Sequence, residues 1–308
     1  MTNSGKEPIP MVLITGGLGA GKTTFLNHLL QHTNLRNQNL CLIINEFGQL
    51  GIDGRLVEAG DHPMYELNRG SLFCICIKTD FIKTLSEIAD QVRPELLVVE
   101  ATGMAEPRDI EDFVDEPTLA AQFHIRTNVC LIDASTFIRL APMLRAVRQQ
   151  ATWADALILN KTDLVNEVEL QQLGAVLTGM NPDAPQLPTT HGRISADFLE
   201  NLKHTVHRGD PLSEPPDPVF ALSFRYDQPV NRARFEQVIS ELGEDLLRLK
   251  GQIDFGIGPE FAEVAGGLLT IGSDMSIALH AETPTAFVAI GWRAPREEFQ
   301  AVIESIWA

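Results

Sequence analysis

Apolar residues fall in short, dense runs along the first two-thirds of this chain, with amphipathic stretches between them. Met11-Val12-Leu13-Ile14 is apolar at every position and too short for a helix, which predicts a strand buried on both faces. Phe25-Leu26-Asn27-His28-Leu29-Leu30 then takes up helical spacing. Leu40-Cys41-Leu42-Ile43-Ile44-Asn45 predicts a second buried strand, and residues 94–100, 128–133 and 156–160 predict three more. Strands alternating with helices predict a mostly parallel, Rossmann-like sheet covered on both faces. Each run ends in a polar turn, and in such sheets ligands bind beyond the carboxyl ends of the strands.

The pattern breaks at residues 207–218, where four prolines stand among acidic and small residues. This composition predicts a stiff linker dividing a domain at 1–206 from one at 219–308. Beyond it, 219–224 predicts a strand, 231–248 an amphipathic helix, several short strands run through Trp292, and 295–307 predicts a last helix. The strand–helix–strands–helix order predicts a smaller α+β unit of ferredoxin-like type.

A length of 308 residues suits two domains, and 44% hydrophobic residues is ordinary for a globular protein. A formal net charge of −17 offers no basic field to collect phosphates, so nucleic-acid and anionic-membrane partners are not expected. No apolar run reaches membrane-spanning length, and the first residues lack the apolar core of a signal peptide. Four cysteines in a chain this long are no disulfide framework, so reduced thiols and a cytoplasmic setting are expected.

Gly16-Gly17-Leu18-Gly19-Ala20-Gly21-Lys22-Thr23-Thr24 adds chemistry to the first strand–helix unit. It fits a phosphate-binding loop: a glycine, four residues, then Gly-Lys-Thr, between a strand and a helix. Backbone N–H groups from Gly17, Gly19, Ala20 and Gly21 through Thr24 can turn inward on a polyphosphate at the positive end of the helix dipole. Lys22 brings a mobile charge to the β- and γ-phosphates, and Thr23 a hydroxyl to Mg²⁺. Glu100, ending the third strand, is placed to hold the Mg²⁺ hydration shell, and Gly103 can bring an N–H to a γ-phosphate. Asn160-Lys161-Thr162-Asp163 ends the fifth strand. There the Asp163 carboxylate can accept hydrogen bonds from N1–H and N2–H₂ of guanine, which adenine would leave unmet. Asn160 would tether that loop, with the Lys161 stem along the base. GTP is therefore expected over ATP.

Cys74-Ile75-Cys76 is a second constellation. In an extended segment residues two apart share a face, so both sulfurs could reach one metal ion; two small buried hydrophobes are the alternative. Cys41 and Cys130 lie mid-strand and read as core. His204 and His207 read as a solvated helix end, and His28, His32, His124, His191 and His280 fall in no ligand pattern.

The phosphate loop, Asn45-Glu46-Phe47-Gly48-Gln49-Leu50-Gly51-Ile52-Asp53, the Cys74/Cys76 segment, Glu100-x-x-Gly103 with Met104-Ala105-Glu106-Pro107, and Asn160–Asp163 occur in the order found in CobW-like P-loop GTPases. Nearly the whole chain resembles that family, and Arg248-Leu249-Lys250-Gly251 resembles the start of its C-terminal domain. The resemblance implies GTP-dependent binding of Zn²⁺ or Co²⁺ and its delivery to a client metalloprotein or a cofactor-assembly pathway. It implies that 45–53 is a switch loop, that Lys22 and Glu100 serve hydrolysis, and that Glu46 or Gln49 orients the attacking water, with slow turnover. Cys74, Cys76 and Glu46 are the candidate transition-metal ligands. Ile77 stands where the family's motif has a third cysteine, so other donors are needed: Glu46, His62, Glu66, Asp80, water, or a second subunit in a homodimer. A small-molecule kinase or ligase, and a regulatory GTPase that works by protein docking, are the competing classes.

Overall fold

A computed structural model describes residues 7–31, 38–45, 57, 59–60, 62–67, 75–195, 198–199, 201–205, 218–272 and 284–307, with the side chains of 75–78 left out. The chain divides into two compact units. The first holds strands β1 (Ile9–Gly16), β2 (Leu40–Asn45), β3 (Met64–Leu67), β4 (Leu96–Glu100), β5 (Phe123–Asp133), β6 (Ala156–Asn160) and β7 (Gln186–Pro188) in the order β3-β2-β4-β1-β5-β6-β7. All the pairings are parallel. Helices α1 (Lys22–Gln31), α2 (Ile75–Glu87), α3 (Pro107–Val114), α4 (Arg145–Thr152) and α5 (Glu167–Met180) connect the strands.

The dense apolar runs are explained by burial on both faces. In β1, Met11 and Leu13 enter one core with Cys41, Ile43, Leu97 and Val99, while Val12 and Ile14 enter the other with Phe25, Leu26 and Leu29 of α1. Every second residue serves the opposite layer, so a polar side chain needs a buried partner, as Thr15 finds in Asn128 of β5. Strands β3 and β7 were not foreseen. They are edge strands of four and three residues, mostly half-buried, and too short to carry a readable period.

Parallel register brings the motif residues to one edge of the sheet. Ile14 pairs with Glu100, Gly16 with Leu131, and Asp133 with Asn160. The phosphate loop, the Glu100 turn and the Asn160 turn therefore emerge side by side at the carboxyl ends.

The second unit is an antiparallel five-stranded sheet, β11-β10-β9-β12-β8, built from β8 (Val219–Tyr226), β9 (Leu246–Asp254), β10 (Pro259–Ala265), β11 (Leu268–Gly272) and β12 (Thr285–Trp292). Helices α6 (Arg232–Leu242) and α7 (Arg296–Glu304) complete it. With β12 between them, β8, α6 and β9 form the split β-α-β of the expected α+β unit. Phe235 and Phe299 are buried with Phe287 and Leu249 in a core of its own. The helix expected over 231–248 stops at Leu242. Gly243 turns to φ +48, and residues 246–254 form β9, so Arg248-Leu249-Lys250-Gly251 is strand. Leucines at 242, 246, 247 and 249 suit either period over so short a stretch, and the glycine decides. Among the described residues, no helix is long and apolar enough to cross a membrane.

Candidate functional site

Between β1 and α1 the phosphate loop closes on itself. The Lys22 ammonium is buried and donates to the carbonyls of Gly16 at 2.9 Å and Gly17 at 3.1 Å. The Ala20 N–H returns to the Gly17 carbonyl, and the Phe25 N–H to that of Gly21, which starts the helix. Gly21 sits at φ +96, and a Cβ there would lie 2.4 Å from Asn160 Nδ2, so this position has no room for a side chain.

Thr23 and Glu100, the two residues expected at Mg²⁺, meet directly: Thr23 Oγ1 donates to Glu100 Oε1 at 3.0 Å. Glu100 is buried at the end of β4. A hydroxyl and a carboxylate are hard oxygen donors, which is the donor set Mg²⁺ takes beside phosphates. Gly103 packs against the loop so closely that a Cβ would come within 2.7 Å of the Leu18 nitrogen. Thr24 is exposed on the first turn of α1.

The Asn160 side chain joins three loops. Its Nδ2 donates to the Ala20 carbonyl at 2.8 Å, and its Oδ1 accepts the Gly192 N–H at 2.9 Å. Lys161 follows in a left-handed conformation, φ +61, and its ammonium meets Asp133 Oδ2 at 2.7 Å. Asp133 Oδ1 accepts from both the N–H and hydroxyl of Ser135. Thr162 hydrogen-bonds the Thr189 carbonyl through its N–H and its hydroxyl, and Asp163 stands exposed in the turn at Thr162–Leu164. Sequence reasoning missed Asp133, although it ends a buried apolar strand as Glu100 and Asn160 do. It also missed Thr189 and Gly192, which follow the edge strand β7 that no pattern marked.

Cys74 and Glu46 lie outside the described residues, as do 47–53 and the Cys76 side chain. Cys76 itself falls in the first turn of α2, not in an extended segment, so the two-residue period that gave it a face shared with Cys74 does not apply. Among the described residues no three His, Cys, Asp or Glu side chains group to hold a metal, His62, Glu66 and Asp80 included. Cys41 and Cys130 are buried core residues; burial pushes their thiols up to about 11 and about 12.

His204 is not a solvated helix end. Its Nδ1 lies 2.9 Å from Asp155 Oδ2, the Thr205 N–H donates to Asp155 Oδ1 at 2.7 Å, and Nε2 is 3.8 Å from Glu111 Oε1. All three side chains are nearly buried. Burial lifts the Glu111 carboxyl to about 7 despite the opposing pull of His204. At His204 burial works downward, but the hydrogen bond and charge of Asp155, with Glu111 and Asp115, carry the pKa above its usual value.

A family model described as the CobW/HypB/UreG nucleotide-binding domain matches residues 10–188, and one for the cobW C-terminal domain matches 219–306. The second match starts at β8, so Arg248–Gly251 lies inside that domain and not at its start. The chain is 28% identical over 322 residues to the zinc chaperone YjiA of Escherichia coli strain K12, covering 97% of this chain and 99% of that one. It is 31% identical over 205 residues to the zinc-regulated GTPase metalloprotein activator 1 of Schizosaccharomyces pombe, covering 64% of this chain and 49% of that protein. The solved structure of Zn(II)-bound YjiA GTPase from E. coli aligns over 98% of this chain and 99% of that one, at 25% identity and a TM-score of 0.48.

Proposed function

The chain belongs to the CobW-like family of P-loop GTPases, and on that premise we propose that it couples its guanine-nucleotide state to carrying a transition metal, Zn²⁺ or Co²⁺, to a client metalloprotein or cobalamin-type pathway. The observation that carries the nucleotide half is the Asn160 side chain, which locks the base-reading turn to the phosphate loop. The metal half draws on the zinc named in the relatives' own descriptions.

In this reading GTP lies with its phosphates on the amides of Gly17, Gly19, Ala20, Gly21, Lys22, Thr23 and Thr24. Its base lies against Asn160, Lys161 and Asp163. Lys22 gives up two carbonyl acceptors for the β- and γ-phosphates. Thr23 and Glu100 would hold Mg²⁺, which when bound neutralises phosphate charge. Water attacks the γ-phosphorus in line and GDP leaves, while Lys22 and the loop amides carry the developing charge. Glu46 and Gln49 are the candidates to orient that water. Residues 1–206 would work as the GTPase domain, joined by 207–218 to the C-terminal domain at 219–308. A second copy could supply the donors that Ile77 denies to Cys74 and Cys76.

Zn²⁺, Co²⁺ and Ni²⁺ titrated with and without a non-hydrolysable GTP analogue test the proposal. Zn²⁺ or Co²⁺ should bind more tightly with the analogue present, and Cys74→Ser/Cys76→Ser should abolish that difference. Metal binding that ignores both nucleotide and cysteines would sink the carrier reading and leave a GTPase acting by protein docking.

A further inference from the structure

Helix α4 belongs to none of the nucleotide motifs, yet it grips the turn that follows Glu100. Gln150 is fully buried, and its Nε2 donates to the carbonyls of Gly103 at 3.2 Å and Ala105 at 2.8 Å. One helical turn and a half earlier, Arg145 pairs with Glu106 at 2.9 Å. Between them Val147 lies beside Gly17 of the phosphate loop. The helix is itself anchored, because Asn181 Nδ2 donates to the carbonyls of Ala151, Thr152 and Ala154 at its end.

The peptide plane joining Gly103 to Met104 is thereby held from both sides. Its carbonyl accepts from Gln150, and its N–H donates to Thr102 Oγ1 at 3.2 Å. A glycine has wide backbone freedom, so fixing this rigid plane limits the directions in which the Gly103 N–H can point. Gln150 also accepts a cost. Its Oε1 is buried and meets no donor among the described residues, which is unfavourable because the oxygen has given up water without a replacement. An apolar side chain of similar size would avoid that cost, so packing alone does not explain a glutamine here.

We propose that Gln150 is a positioning residue for the γ-phosphate: it orients the Glu100–Gly103 turn so that the site distinguishes GTP from GDP. The proposal rests on the nucleotide reading above. GDP has no γ-phosphate and needs only the phosphate loop and the base turn, to which the Gln150 side chain makes no hydrogen bond among the described residues.

Binding of fluorescent GDP and of a fluorescent non-hydrolysable GTP analogue with Mg²⁺ to the full chain decides the matter. Gln150→Met and Gln150→Leu both remove the donor. Two lost hydrogen bonds predict analogue binding weaker by about tenfold, with GDP affinity held within about twofold. Equal weakening of both nucleotides, or no change in either, overturns the proposal and leaves Gln150 a structural residue. Wild-type protein that binds neither nucleotide would instead remove the nucleotide reading itself. Should the Gln150 variants fail to fold, Arg145→Gln tests the same grip from its less buried end. It should also weaken analogue over GDP, and unaltered selectivity would overturn the idea.

Discussion

Asn160 and Asp163 are three residues apart in one turn but do different physical work. Asn160 is buried, with both ends of its amide spent on backbone groups of other loops. Asn160→Ala leaves the Ala20 carbonyl and Gly192 N–H without partners, and should lower folding stability by about 2–4 kcal/mol while weakening GTP and GDP alike. Chemical denaturation with a nucleotide titration checks both effects; selective loss of GTP alone would contradict the tether. Asp163 is exposed, so Asp163→Ala should change stability by no more than about 0.5 kcal/mol. What it should lose is the preference for GTP over ATP, by about a hundredfold or more. A GTP preference that survives the substitution would mean another group reads the base.

At the scale of elements, the buried cluster of Glu111, Asp155 and His204 ties α3 and the start of β6 to residues 204–205. The charged groups facing it come from each of those elements, with Asp115 beyond the end of α3. Glu111 has a folded pKa near 7, above its usual 4.5, so it favours the folded state fully below about pH 4.5 and loses that contribution as pH rises through 7. His204 is also raised, so its contribution is full below pH 6.5 and fades as pH climbs past its folded value. Asp109 on the same helix is lifted to about 6, chiefly by burial, and acts in the same direction. Wild-type stability should therefore fall between about pH 5 and 8, by roughly 2–3 kcal/mol from Glu111, with His204 acting in the same direction. Urea denaturation at pH 5.5 and 8 should find that slope flattened in Glu111→Gln. A slope identical to wild type would show that Glu111 titrates as it does in the unfolded chain.

For the molecule as a whole, the carrier reading makes a demand that no single contact can meet. If GTP tightens metal binding by some factor, metal must tighten GTP binding by the same factor. Measuring nucleotide affinity with and without saturating Zn²⁺ should return the factor obtained from the metal titration. Unequal factors would mean that two different conformational equilibria had been measured.

How much could be read in advance follows from where each signal sits. Where a strand is buried on both faces it carries a dense apolar run, so β1, β2, β4, β6 and the second half of β5 announced themselves, as did the polar turns they feed. The phosphate loop and the Asn160 turn were equally legible, because their backbone geometry admits few residue types: a Cβ at Gly21 meets Asn160, and one at Gly103 meets Leu18. The edge strands β3 and β7 left no pattern, and the leucines after Gly243 left an ambiguous one. Sequence alone thus determined the sheet, the nucleotide and the family. Only the tertiary structure decided that Lys161 pairs with Asp133, that His204 is buried between two carboxyls, and that Gln150 and Arg145 hold the turn after Glu100. Those partners lie 28 to 93 residues apart. Their meeting depends on parallel register and helix packing, which no local spacing encodes.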